Sequence, residues 1–215
     1  MLSAFLNAFK IKELRNKILF TAGVIVLCRI AANIPCPGVD TKNLKTYFDS
    51  FGADSAAGQF MGMFDLFSGG ALQQFAIGAL GIMPYISASI IMQLLVPVVP
   101  SLEKLSREGE VGRGRINQYT RYLTILICIV QGAMAAVAMT TPSNLGLPAP
   151  DPAFPLVTNP GFGFIAMSVC ILTAGTMILV WLGERITEHG IGNGVSIIIT
   201  INIIERLPQA LAGLY

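Results

Sequence analysis

The sequence predicts an all-α protein that crosses a membrane several times. Apolar residues make up 53% of the 215 residues and charged residues only 12%, whereas a soluble domain carries about 25% charged residues. Several apolar stretches approach the ~20 residues that one helical crossing of a bilayer requires. Lys and Arg residues gather in alternate connections between these stretches, as they do in multi-pass membrane proteins.

Five stretches are predicted to be the membrane crossings, within a unit that extends over residues 17–206. They are residues 17–34, 74–99, 119–139, 162–182 and 191–204. A basic, amphipathic segment, residues 1–16, precedes them and predicts an interfacial helix on the membrane surface. No small-residue cleavage site follows its first apolar run, so a removable signal peptide is not expected.

The distribution of Lys and Arg sets the orientation, because cytoplasmic loops carry an excess of these residues. One side of the predicted membrane holds Lys10, Lys12, Arg15, Lys17, Lys104, Arg107, Arg113, Arg115, Arg121 and Arg185. The other side holds only Lys42, Lys45 and Arg206. We therefore expect a cytoplasmic N-terminus, an external loop at 140–161 and an external C-terminal segment at 207–215.

Two connections have a character of their own. Residues 101–118 alternate charges around three glycines, which predicts either a solvated cytoplasmic loop or a docking surface for a cytoplasmic partner. Residues 35–73 form a long outer segment with a short helix predicted at "TKNLKTYFDSF", 41–51. A connection of that length usually has a function of its own.

The second predicted crossing is rich in small residues. Gly78, Gly81, Ser87 and Ala88 allow helices to approach closely, and Pro84 predicts a kink because it removes a backbone hydrogen bond. Ordinary helix packing would explain this crossing taken alone.

The fifth crossing begins with "GIGNG", 190–194, which predicts a turn or an unwound entry. Interrupted crossings of this kind border functional cavities in transporters. The pairs Ile82/Ile86 and Val195/Ile199 are each spaced i, i+4, so each pair shares one helix face. Packing against lipid or core is the ordinary interpretation of such pairs, and a gate is the alternative.

Titratable residues give little support for catalysis. Glu184, Glu188 and His189 lie close together, yet no second His and no Ser/His pair accompanies them. We expect a solvated helix end, with no catalytic residue, metal site or cofactor. Arg29 lies about one turn from the outer end of its crossing, so its side chain is expected to snorkel to the interface. The cysteines lack metal-binding spacing and are expected to pack as small apolar residues; they are Cys28, Cys36, Cys128 and Cys170.

Two stretches, "AIGALGIMPYISASIIMQLL" at 76–95 and "WLGERITEHGIGNGVSIII" at 181–199, resemble the signature regions of the SecY family. SecY proteins are channel subunits of the bacterial protein translocase. Further similar stretches are "NIPCPGVD", "MFDLFSGGAL", "EGEVGRGRINQYTRY", "NPGFGF" and "GTMILVWLGE". Family members have ten crossings in two five-crossing halves related by inverted pseudo-symmetry, and this chain resembles the N-terminal half, with residues 207–215 beginning the external hinge.

The resemblance implies specific roles. A ring of aliphatic side chains that seals the pore would include Ile82, Ile86, Val195 and Ile199. A plug, about residues 61–72, would be a short helix beneath the ring; its named residues are Met63, Phe64, Asp65, Leu66, Phe67, Ser68, Gly69 and Gly70. The glycine pair would supply the backbone angles of a hinge, and Asp65 would keep the segment from inserting as a crossing.

The family also implies a side exit and partners. Ser87 and Gln131 match the polar cluster of the lateral gate, with hydrogen bonding of Gln131 inside the bundle as the alternative. Lys104, Arg107, Arg113 and Arg115 would contribute to a cytoplasmic contact. The implied partners are the SecE and SecG subunits, the SecA motor, the ribosome, signal sequences, unfolded polypeptide and lipid, with no direct nucleic-acid contact. The implied location is the bacterial cytoplasmic membrane.

Two other functions remain open from the residues alone. One is half of a secondary transporter with inverted repeats, which the scarcity of ionisable groups inside the crossings argues against. The other is a structural membrane scaffold, in which the aliphatic pairs would have no gating role.

Overall fold

The computed structural model describes residues 11–50, 56–142 and 155–212. The helices in these ranges are α1 (Lys12–Asn33), α2 (Thr41–Ser50), α3 (Ala56–Ser68), α4 (Met83–Val98), α5 (Pro100–Arg107), α6 (Glu110–Thr140), α7 (Phe162–His189) and α8 (Gly194–Ala212). No strand occurs among the described residues, only two isolated bridges, Pro35 with Ala76 and Val39 with Val157. The all-α fold class is therefore confirmed.

Two of these helices, α6 and α7, are long and apolar enough to cross a membrane by themselves. Helices α4 and α5 meet the same criteria only as a pair, and the chain bends by 97° between them. The described apolar part of α8, Gly194–Glu205, is shorter. Two or three crossings thus follow from length and composition among the described helices, and five crossings remain a prediction.

The N-terminal segment differs from the prediction. Helix α1 begins at Lys12 and continues without a break to Asn33, so residues 12–16 belong to it and do not form a separate interfacial helix. Residues 1–10 lie outside the described part of the chain. The short helix predicted at 41–51 is confirmed as α2, and Asp40 caps it by accepting the backbone N–H of Lys42 at 3.0 Å.

The second predicted crossing is only partly helical. Residues 69–82 form a series of turns, and α4 begins at Met83. Pro84 therefore lies in the first turn of α4, where its missing N–H costs nothing, and the predicted kink there is wrong. Backbone hydrogen bonds to the end of α1 hold the turns, with the Ile77 N–H 2.9 Å from the carbonyl oxygen of Ile34.

The connection at 101–118, predicted as a loop, is helical. Helix α5 follows the bend at Val99, and α6 starts at Glu110 and runs for 31 residues to Thr140. Only Glu108 and Gly109 separate the two helices. Of the external loop predicted at 140–161, residues 143–154 lie outside the described ranges.

The turn predicted before the fifth crossing is confirmed at residues 190–193. The Asn193 side chain caps α8 by accepting the Val195 N–H at 3.1 Å and the Ser196 N–H at 3.3 Å. Helix α8 continues to Ala212, past the predicted end at residue 204, so residues 207–212 are helical.

Helix α7 is central, because it packs against α1, α6 and α8. Two apolar cores lie along it. The first surrounds the fully buried Leu44, Phe75 and Leu172. The second contains Ile82, Ile186 and Ile198. Three side chains that pack against it, Tyr85, Ile86 and Val195, line the cavity described next.

Candidate functional site

A cavity of about 580 Å³ opens between α4, α6, α7 and α8. Its apolar lining includes Ile86, Val195 and Ile199, and its polar lining includes Arg121 and Glu184. The lining residues of α4 lie between Tyr85 and Gln93, so Ile82 is outside the cavity. The last lining residue of α8 is Ile199. The α6–α7 wall of the cavity is polar, whereas α4 and α8 contribute aliphatic side chains together with Ser89, Gln93 and Ser196.

The four residues predicted for the aliphatic ring lie together. Ile82 is 3% exposed and belongs to the second core, and Ile86 and Val195 pack against the same core. Ile86, Val195 and Ile199 line the cavity. The backbone N–H of Ile86 donates to the Ile82 carbonyl at 3.1 Å, so the pair has the i, i+4 relation that its spacing predicts.

The C-terminal end of α3 contacts α8 and the turn that leads into α4. A Cβ placed on Gly81, the residue before Ile82, would lie 3.6 Å from the Cα of Ser68 and 3.7 Å from the carbonyl oxygen of Phe67. The side-chain Nδ2 of Asn202, three residues after Ile199, donates to that same carbonyl at 2.8 Å. The predicted plug segment is helical only to Ser68, and residues 69–72 are turns.

Asp65 is buried at the end of α3. It is 4% exposed, and its Oδ1 accepts the backbone N–H of Gln73 at 3.2 Å. Its own carbonyl accepts the Gly70 N–H at 3.0 Å. Asp65 thus closes the turn after α3, where Gly69 and Gly70 have φ of 66° and 84°, the left-handed region that glycine tolerates. Met63 and Phe64 are exposed.

Arg29 pairs with two side chains of α8. Its Nη2 donates to Oδ1 of Asn202 at 3.0 Å, and its Nη1 forms an ion pair with Glu205. Its side chain is only 20% exposed. The sequence-based interpretation missed Asn202, although an amide within an apolar helix is a signal for function.

The acidic residues near His189 pair with arginines. Nε and Nη2 of Arg121 lie 3.1 Å and 2.6 Å from the two carboxylate oxygens of Glu184. Nη1 of Arg185 lies 3.2 Å from Glu188, which is 3.7 Å from Nδ1 of His189. No group of three His, Cys, Asp or Glu residues is arranged for a metal ion in the described ranges.

The remaining predicted residues lie on α4, α5 and α6. Ser87 and Gln131 are each partly buried on α4 and α6, two helices that pack against each other. No hydrogen bond joins their side chains in the described structure. Lys104 and Arg107 on α5 and Arg113 and Arg115 on α6 are all exposed, and Arg107 pairs with Glu103 at 2.6 Å.

The cysteines are all free thiols. Cys28, Cys36 and Cys128 are buried, as their expected packing role requires, whereas Cys170 is exposed on α7. Cys36 lies outside the helices, its Sγ 3.9 Å from Oγ of Ser168. Burial raises the pKa of the Cys36 thiol, and the contact with Ser168 opposes that shift.

Comparison with known proteins places the chain in a family. The SecY family model matches residues 76–215. The protein translocase subunit SecY of Streptomyces coelicolor is 46% identical over 217 residues, which cover 98% of this chain and 47% of that protein. The SecY subunit of Aquifex aeolicus is 43% identical over 216 residues, covering 100% of this chain and 48% of that protein. The chain thus spans about half the length of the curated relatives it matches.

Solved structures show the same fold. Sec61 in a canine ribosome–channel complex from the endoplasmic reticulum superposes with a TM-score of 0.55 at 19% identity, over 89% of this chain and 36% of that chain. A structure of a protein-conducting channel gives the same values. From the family model and the 46% and 43% identity to the two SecY subunits, we conclude that the chain belongs to the SecY family.

Proposed function

We propose that the chain forms half of a protein-conducting channel, which translocates secretory proteins across the bacterial cytoplasmic membrane and inserts membrane proteins into it. The observation that carries this proposal is the position of the four aliphatic residues. On one side of them lies the cavity, and on the other lies the end of α3.

This order is visible along α8. Val195 and Ile199 line the cavity, and one turn further on Asn202 contacts the carbonyl of Phe67 in α3. The same order holds at the start of α4, where Gly81 abuts α3, Ile82 is buried, and Ile86 faces the cavity. A passing polypeptide would therefore meet the cavity, then the aliphatic residues, then α3.

The aliphatic residues suit a seal. An apolar constriction expels water and gives ions no replacement for their hydration shell. Branched side chains on two helices can still move apart around a passing chain. We assign Ile82, Ile86, Val195 and Ile199 to this side of the ring, and α3 with the turn at Gly69 and Gly70 to the plug, in the channel formed with a second half.

The other family roles belong to the same proposal. Ser87 and Gln131 would lie at the lateral gate for signal sequences, and the exposed Lys104, Arg107, Arg113 and Arg115 would face a cytoplasmic partner. Five crossings with a cytoplasmic N-terminus, and partnership with SecE, SecG, SecA and the ribosome, complete it. The names of the relatives support a translocase subunit, and they do not favour the secondary-transporter alternative.

Ion conductance tests the proposal. Ile86→Asn in the channel assembled with its second half should make the resting pore leak ions in planar bilayers, because an amide at the constriction holds water. Ile90→Asn is the matched control, since Ile90 lines the cavity one turn away from the ring on the same helix. A resting pore that stays tight with Ile86→Asn would contradict the ring assignment.

A further inference from the structure

We propose that Asn202 is a positioning residue that latches the plug in the resting channel, and that Arg29 holds Asn202 in the orientation this requires. The inference rests on the proposed function, because it takes α3 to be the plug. It identifies the side chain that restrains α3, which is Asn202, and the helix that carries this side chain, which is α8.

The Asn202 amide forms a hydrogen bond through each of its two polar atoms. Its Nδ2 donates to the Phe67 carbonyl at 2.8 Å, and its Oδ1 accepts from Nη2 of Arg29 at 3.0 Å. A guanidinium can only donate and a carbonyl can only accept. The amide therefore has one workable orientation, and Arg29 selects it.

The glycine turn after α3 packs on the side chains of Arg29 and Asn202. A Cβ at Gly69 would lie 2.6 Å from Nη1 of Arg29 and 3.2 Å from Cγ of Asn202. The turn that ends α3 thus lies directly on the guanidinium. Glu205 pairs with Nη1 of Arg29, so α1, α8 and the end of α3 meet at one cluster.

The acceptor on α3 is the backbone carbonyl of Phe67. Phe67 lies in the last turn of α3, where helix carbonyls have no partner within the helix. The Asn202 side chain donates to a backbone atom of α3, so the bond does not depend on which side chains the plug carries. Asn202 also lies one turn from Ile199, so a displacement of α8 that widens the ring would also move the latch.

The experiment uses the assembled channel in lipid nanodiscs. Asn202→Asp keeps an acceptor for Arg29 but cannot donate to Phe67, whereas Asn202→Leu removes both bonds. Amide hydrogen exchange of the peptide covering residues 62–73 should rise about two- to tenfold in both variants, as expected for loss of one hydrogen bond. Thr200→Val is the matched control, because Oγ1 of Thr200 donates to the Ser196 carbonyl of its own helix, at 2.8 Å. This substitution should leave exchange unchanged.

Ion leak through the same resting channels separates the two proposals. Faster plug exchange with increased leak supports both the latch and the seal. Faster plug exchange without leak supports the latch and overturns the sealing role of α3. Unchanged exchange in both Asn202 variants overturns the latch whatever the leak. A similar rise throughout α6 and α7 would overturn it too, since Asn202 would then stabilise the whole bundle.

Discussion

Arg121 on α6 and Glu184 on α7 form a two-bond ion pair at the wall of the cavity, with N–O distances of 3.1 Å and 2.6 Å. Two hydrogen bonds between one guanidinium and one carboxylate give the pair both direction and strength. Glu184 is 20% exposed and Arg121 47% exposed, so water still screens the arginine.

We therefore expect a modest coupling energy between these side chains. In a double-mutant cycle with Arg121→Met and Glu184→Gln, the free energy of unfolding in mixed micelles should show about 0.5–1 kcal/mol of coupling, near the top of the range for exposed pairs. The pair Arg185 and Glu188 on one helix, at 3.2 Å, is the control and should couple by about 0.3–0.5 kcal/mol. Equal coupling in the two cycles would contradict the special geometry of the first pair.

Removing the plug should open the resting channel to ions. Deletion of residues 61–68 takes away the end of α3 that abuts Gly81 and Asn202, while the cores around α7 remain. Ion flux into liposomes that contain the assembled channel should rise, and thermal unfolding should still be cooperative. Unaltered flux would show that α3 is only a surface element.

Gly175 should be intolerant of any side chain. A Cβ on this residue would collide with the Ile77 carbonyl, a backbone atom that cannot rotate away. Gly175→Ala should lower the free energy of unfolding by about 1–3 kcal/mol, the usual cost of overpacking.

Gly23 in α1 provides the control for that substitution, because a Cβ there meets nothing within 4 Å. Gly23→Ala should be neutral or stabilising by up to ~1 kcal/mol, since alanine favours a helix interior. A Gly175→Ala protein as stable as the Gly23→Ala protein would mean that α7 and the turn at Ile77 do not approach so closely.

Cys36 should react slowly with N-ethylmaleimide in the folded protein. It is 2% exposed, and burial raises its pKa, so both access and thiolate content are low at neutral pH. Mass spectrometry of the labelled peptide that contains Cys36 follows the reaction in the folded and in the unfolded protein. Labelling of Cys36 as fast as in the unfolded protein would contradict its place in the core.

The Cys36 thiol should also make the free energy of unfolding depend on pH. Because the folded state holds the Cys36 proton more tightly than the unfolded state does, its contribution to stability is complete below the ordinary thiol pKa of ~8.5. That contribution is lost as the pH rises above this value. Cys36→Ser should flatten the alkaline side of the stability profile.

Hydropathy identified α6 and α7 from the sequence, because long apolar helices need no partner to be recognised. Hydropathy misjudged residues 74–82, which it assigned to the second crossing. An apolar stretch has the same hydropathy whether its backbone forms a helix or hydrogen-bonds to the end of α1. The prediction of a loop at residues 101–118 was wrong for a different reason. Its charges and glycines are typical of a loop, yet only Glu108 and Gly109 interrupt the helices.

The four aliphatic residues could be listed from the sequence because the family resemblance supplied them. The cluster of Arg29, Asn202 and Glu205 could not, because its members lie on two helices at opposite ends of the chain. Spacing within one helix says nothing about which polar group of another helix will lie beside it. Only the packing of α1 against α7, and of α8 against α7 and α3, brings them together.

The turns at 69–82 also constrain how the protein is made. Helix α4 has 16 residues and is about 24 Å long, which is shorter than the ~30 Å interior of a bilayer. Any crossing at this position must therefore include the turns. Lipid cannot form hydrogen bonds with the backbone of these turns. The Ile77 carbonyl lies against Gly175, which the ribosome adds much later. The backbone hydrogen bonds of the turns, however, run among the turns themselves and to residues 34–36. The backbone of the turns can therefore be satisfied before α7 is made, and only the close packing at Gly175 has to follow it.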